Sequence, residues 1–342
     1  MGKNFPRITT LRENPSCVEE TIHLIEKSFH YPPAQSFKID FAPLIEKENH
    51  HNCFILVDEN EKVLAHIGVK ERNLQINNQL FNICMLGGIA VDENHRGQGH
   101  FQLLLQDVLA EKRSDTCFFI LWSDQEKLYS KYGFTLCGGQ FELIKQGTQN
   151  KNLIQTSYGK LSNSQQGQIK ELYQNSFAKT YQTLDRTETD WNLLGKITSA
   201  DLLIEEKEGR IVNYFFMNKG QDLEGIIYEY GSSGDLKLLL EAARAYGKVW
   251  LGAPLIETEH DHYQFLMATG DLKHFTEFIH AYTQGLMEIR NINIMKQEVF
   301  FDFNQETLML STEEFLRGVM GPGPFEELGE IKPFFLSGLD SI

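Results

Sequence analysis

Arg96-Gly97-Gln98-Gly99-His100 joins an apolar strand to an amphipathic helix, and its reading decides the fold. Ahead of it, Leu86-Gly87-Gly88-Ile89-Ala90-Val91 reads as a buried strand and Asp92 to His95 as a turn. Behind it, Phe101, Leu103, Leu104, Leu105, Val108 and Leu109 recur with helical spacing and give an apolar face. Gly97 and Gly99 carry no Cβ to block approach to the main chain. The first turn of a helix leaves N–H groups without intrahelical partners. Such a junction suits an anion, above all a phosphate. No Lys-Ser/Thr pair follows the glycines, which excludes a nucleoside-triphosphate P-loop. The three-glycine dinucleotide signature is also missing, and the loop does not follow a first strand.

Working outward, the first half parses as one helix, a meander of strands, the glycine loop with its helix, and further strands. Val18 to Phe29 reads as a helix that breaks at Tyr31-Pro32-Pro33. Cys53 to Val57 and Val63 to Val69 read as strands around Asp58-Glu59-Asn60-Glu61, and Leu74 to Ile76 pairs with Phe81 to Val91 around Asn77-Asn78. Cys117 to Trp122 reads as a short buried strand, Gln125 to Tyr132 as a helix, and Phe134 to Ile144 as a strand interrupted at Gly138-Gly139. Polar Lys145 to Lys151 marks a boundary. Beyond it the same order recurs, with helices at Ser164 to Phe177 and around Trp191 to Ile197. Strands follow at Leu202 to Ile204, Ile211 to Phe216 and Leu223 to Tyr230, then a helix at Leu236 to Tyr246 and a strand at Val249 to Leu251. At the point equivalent to the glycine loop stands Gly231-Ser232-Ser233-Gly234-Asp235, which lacks an Arg and sets a carboxylate where phosphate would be repelled. Met287 to Ile294 reads as a late strand of this copy and Thr312 to Val319 as a helix.

The chain has 342 residues, 41% of them hydrophobic and 23% charged, enough for two ordinary cores. Its formal charge of −15 disfavours nonspecific nucleic-acid binding and would suit a cationic small-molecule or peptide amine. No apolar signal core follows Met1, and no apolar run approaches the roughly 18 residues of a membrane span. Five widely spread cysteines and eleven histidines form no zinc spacing, so free thiols, no metal and a cytoplasmic setting are expected. His50-His51 and His260-Asp261-His262 read as solvated loop residues. Self-association is left open.

Val91 to Phe101 resembles the acyl-coenzyme A loop of the GCN5-related N-acetyltransferase (GNAT) superfamily, with Arg96, Gly99 and Phe101 at the motif positions. Phe101 departs from the family's small residue there, so the helix start must accommodate or turn away a phenyl ring. Leu128-Tyr129-Ser130-Lys131-Tyr132-Gly133-Phe134 resembles the second hallmark, a Tyr ahead of Gly-Phe. The resemblance implies an α/β mixed sheet built as tandem acyl-CoA N-acyltransferase-like domains, the second copy degenerate. The expected domains are residues 1–147 (catalytic), 148–300 (degenerate) and 301–342 (an extension reaching toward the active site). The arrangement is similar to that of the enhanced-intracellular-survival acetyltransferases, though shorter at the C-terminus.

The implied activity is acetyl transfer from acetyl-CoA to a primary amine by direct attack. Gly97, Gln98, Gly99, His100 and Phe101 would hold the pyrophosphate by backbone N–H groups, with Arg96 adding charge. Ile89, Ala90 and Val91 would line the pantetheine arm. Tyr129, with an ordinary pKa near 10, is the expected general acid for the departing thiolate. The strand before the loop holds no carboxylate, so the base must come from elsewhere. In the tandem relatives the terminal carboxylate enters the active site, which nominates Ile342, with Asp340 second and Glu71, His66 and Asp124 as lesser candidates. Cys84 reads as an inert thiol. A non-catalytic CoA-binding or oligomeric scaffold module is the alternative.

Overall fold

The computed structural model describes residues 6–149, 152–293 and 296–342. Strands β1 (Arg7–Thr10), β2 (Cys53–Val57), β3 (Val63–Ile76) and β4 (Gln79–Val91) form an antiparallel meander, and β5 (Phe118–Leu121) joins β4 in parallel. β3 runs unbroken where two shorter strands are expected. Asn77 and Asn78 take φ of 48° and 65° between Ile76 and Gln79, the left-handed pair that a two-residue hairpin demands.

After β6 (Thr135–Leu143), strands β7 (Ile154–Thr156), β8 (Asp201–Lys207), β9 (Arg210–Met217) and β10 (Ile226–Ser232) form a second antiparallel run. β11 (Lys248–Leu251) joins β10 in parallel, and β12 (His260–Thr269) follows. All twelve belong to one mixed sheet in the order β1-β2-β3-β4-β5-β12-β6-β11-β10-β9-β8-β7. Read inward from either edge the pattern is the same. The two central strands are exchanged: β12 lies beside β5, and β6 lies beside β11.

β12 corrects an expectation, because His260-Asp261-His262 opens this strand instead of lying in a loop. Phe265 to Ala268 are all buried, as expected where both faces of a sheet are covered. The helices Val18–Ser28 and His100–Lys112 pack against the β3–β4 side of the sheet. Of the linker expected over Lys145–Lys151, residues 150 and 151 lie outside the described residues.

Helix Leu272–Tyr282 buries Phe275, Phe278, Ile279 and Tyr282, one stripe at helical spacing. It leads to a separate antiparallel sheet of β13 (Met287–Asn293), β14 (Glu298–Phe303) and β15 (Glu306–Ser311), then helix Thr312–Met320. The strand at Met287 therefore belongs to this sheet, not to the second run, and Ile294 lies outside the described residues. The boundary expected between 300 and 301 falls inside β14.

From Phe334 the last residues run through the interior. Phe334 packs on Phe118, Phe265 and Tyr282, and Phe335 on Phe177 and Tyr181. A Cβ on Gly252 would stand 2.3 Å from that of Phe335, so the tail passes where only glycine leaves room.

Candidate functional site

β4 and β5 pair only from Ile83 to Met85. Beyond Met85 the strands part, and β4 bulges between Gly87 and Ala90, with Gly88 at φ +58°. The main chain of Leu86 to Val91 thereby loses its neighbour on one side. A cleft of about 880 Å³ opens there, lined by Gly87, Ile89, Ala90, Val91, Arg96, Phe101, Tyr129 and Ile342 among others. A second, apolar cavity of about 160 Å³ beside Met320 and Pro322 lies away from these residues.

His66 pins the bulge. Its Nδ1 lies 2.7 Å from the Gly88 carbonyl, so that nitrogen carries the hydrogen, and Nε2 has no partner. Complete burial pushes the ring down to about 4, with the Gly88 bond opposing. His66 is thus neutral and sealed away, which removes it from the candidate bases.

The glycine loop begins with Asp92, whose Oδ1 accepts from Asn94 N at 2.9 Å and lies 3.0 Å from His95 Nδ1. Arg96, Gly97, Gln98 and Gly99 are exposed. Gly97 and Gly99 take φ of +76° and +82°, and a Cβ on either would meet no atom within 4 Å. Glycine is required here for the left-handed backbone, and the space above it is open to a ligand. Gly99 caps helix His100–Lys112 without a side-chain bond, leaving that helix start available to an anion. The His100 side chain is buried, its ring 6.3 Å from that of His95. Phe101 turns its ring edge-on to Tyr129 and Tyr132, both at 5.7 Å, which is how the phenyl ring is accommodated.

The equivalent start in the second run differs. Asp235 caps helix Leu236–Ala243 with its own carboxylate, accepting from Lys237 N at 2.8 Å. That helix start already carries a carboxylate of its own.

Tyr129 lines the cleft from helix Glu126–Tyr129 and is largely buried. Burial pushes its phenol up to about 12, opposed by a Ser123 hydrogen bond and helped by the Asp124 charge. Opposite it, the tail ends against β4. A Cβ on Gly87 would stand 2.5 Å from both the carbonyl carbon and an oxygen of Ile342. Tyr129 and Ile342 thus share one cleft with Arg96 and the bulge.

Asp340 occupies a different place. Arg186 Nε donates to both its oxygens at 3.1 Å, and Arg72 Nη1 lies 3.4 Å from Oδ1. Burial opposes its charge, yet Arg186 and Arg72 outweigh this and hold its carboxyl below the usual range. It anchors the tail and is no longer a candidate base. Arg186 also donates to Glu229, and its guanidinium lies 4.2 Å from the centroid of the Tyr173 ring and 4.7 Å from that of Trp191. Glu71 is exposed and paired with Lys112 at 3.1 Å, away from the cleft. Asp124 lines the cleft but is exposed. Cys84 is buried on Thr116, and burial pushes its thiol up to about 12.

Sequence reasoning did not single out Tyr31, Phe37, Phe41, Asp222 and Trp250, which also line the cleft. Trp250 and Asp222 come from the second run, and only three-dimensional pairing brings them here. Among the described residues no His, Cys, Asp and Glu cluster could hold a metal ion, and no helix is long and apolar enough to cross a membrane.

A bulged, splayed parallel pair beside an uncapped glycine-led helix defines the mixed α/β fold of the GNAT-type acyltransferases. Residues 12–137 match the family described as acetyltransferase (GNAT) domain. A GCN5-related N-acetyltransferase from Anabaena variabilis shares the fold at 14% identity and TM-score 0.58, covering 89% of this chain and 85% of that one. One from Kribbella flavida does so at 12% identity and TM-score 0.58, covering 98% of each chain. Eis1 from Mycobacterium abscessus does so at 11% identity and TM-score 0.54, covering 89% and 85%. No curated protein matches the chain in sequence.

Proposed function

We propose that the protein is an acetyl-CoA-dependent N-acetyltransferase that acetylates a primary amine by direct attack. The observation that carries this reading is the convergence of Arg96, Tyr129 and the end of the tail on the cleft beside the β4 bulge. The open space over Gly97 and Gly99 and the uncapped helix start fit a pyrophosphate. Arg96 would add charge there, and Ile89, Ala90 and Val91, freed from β5, would offer main-chain partners to the pantetheine arm.

The amine nitrogen attacks the thioester carbonyl carbon, the C–N bond forms and the C–S bond breaks. The carboxylate of Ile342 takes the proton from the amine, and the Tyr129 phenol gives one to the departing thiolate. A main-chain N–H of the splayed segment would stabilise the developing oxyanion. Asp222 in the lining of the cleft favours an acceptor with positive charge.

The symmetric strand order supports two copies of one fold that exchange β6 and β12, the second without a donor site because Asp235 occupies its helix start. The test is thiol release from acetyl-CoA with a panel of primary amines. Tyr129→Phe should lower kcat by roughly 10²- to 10⁴-fold while calorimetric affinity for acetyl-CoA is kept. Unchanged turnover in that variant removes Tyr129 as the acid, and no release with any amine removes the enzymatic reading.

A further inference from the structure

Lys219 stands just after β9, and its side chain is enclosed, with 1% of the residue exposed. Its Nζ donates to the carbonyls of Gly338 at 3.0 Å, Leu339 at 3.2 Å and Ser341 at 2.5 Å, and lies 3.2 Å from Ser341 Oγ. All four acceptors belong to the final residues of the tail. The ammonium also lies 4.8 Å over the Phe41 ring, which lines the cleft.

A buried cation is costly unless its donors are satisfied, and an apolar side chain would fill this space without that cost. What the ammonium adds is geometric. It gathers three carbonyls of the last five residues, those of Gly338, Leu339 and Ser341, around one point. The Arg186–Asp340 pair fixes residue 340, but Ser341 still separates it from Ile342. Over that last step, Lys219 holds Ser341 from both its carbonyl and its hydroxyl. Burial pushes its pKa down to about 7, while Asp340, Asp40 and Asp222 pull the other way.

We propose that Lys219 is a positioning residue for the reaction, holding the last carbonyls so that the Ile342 carboxylate rests against Gly87 and faces the incoming amine. The inference rests on the reading of that carboxylate as the base. It differs from a purely stabilising role, because the clasp matters to turnover only through the residue it aims.

The experiment uses the full chain, K219M, a chain lacking Ile342, and the combination. Turnover of acetyl-CoA is measured with phenethylamine, spermidine and a tetrapeptide, beside native carboxypeptidase digestion followed by mass spectrometry. K219M should release Ile342 faster than the parent and lose roughly 100-fold in kcat, with acetyl-CoA affinity unchanged. In the chain lacking Ile342, K219M should cause no further loss, the non-additivity expected of one functional unit. K219Q is read in the same way if K219M does not fold. Release of Ile342 at the parent rate overturns the inference, as does full kcat in K219M when loss of Ile342 abolishes turnover. If loss of Ile342 itself leaves kcat intact, the base reading fails, and Lys219 then has nothing to position.

Discussion

Gly87 has no side chain where the tail ends, and any Cβ there would collide with the Ile342 carboxylate. Gly87→Ala should therefore destabilise the protein by roughly 1–3 kcal/mol, and deleting Ile342 in the same chain should recover most of that. Urea midpoints of the two variants check this; an uncorrected loss would place the tail elsewhere. His66 gives a prediction in pH. Its folded pKa lies near 4 against an ordinary 6.5, so between these values the unfolded chain binds a proton that the folded chain refuses. Stability should fall as pH drops from 6.5 toward 4, by about 3 kcal/mol in full. His66→Gln should flatten that part of the stability–pH curve in urea titrations at pH 7 and 4.5, and an unchanged slope would contradict the assignment. Arg96, Gly97, Gly99 and Tyr129 were legible as single residues because their spacing is local. The part played by His66 was not, since its meaning depends on a bulge in the neighbouring strand.

Among elements, the strand–loop–helix around Gly97 was readable because a strand, a turn and an apolar helical stripe follow one another directly in sequence. β12 was not, because its partners β5 and β6 lie far back in the chain and its opening His260-Asp261-His262 looks like a loop. The tail is the other element that sequence alone could only nominate. Its path is fixed by Arg186, which meets Asp340 and Glu229 from a loop more than a hundred residues upstream. Arg186, Asp340 and Glu229 are fully buried, so removing Asp340 takes one of two carboxylates from a guanidinium that water cannot reach. Asp340→Ala should cost roughly 3–5 kcal/mol, read as a lowered urea midpoint together with faster carboxypeptidase trimming. A cost near zero would mean that Phe334, Phe335 and the Lys219 bonds hold the tail without Asp340.

Across the whole molecule, composition and recurrence pointed to two similar halves but could not show how they join. The exchange of β6 and β12 makes the join a continuous sheet, and the lining of the cleft includes Asp222 and Trp250 from the half that has no open helix start. Division of labour follows: one half offers an uncapped glycine-led helix, and the other closes the space facing it. The most direct test of that account is calorimetric titration of the full chain with acetyl-CoA. The account predicts one molecule bound per chain, with affinity lost in an Arg96→Ala, Gly99→Ala double variant. Absence of binding, or two equivalent molecules per chain, would contradict it.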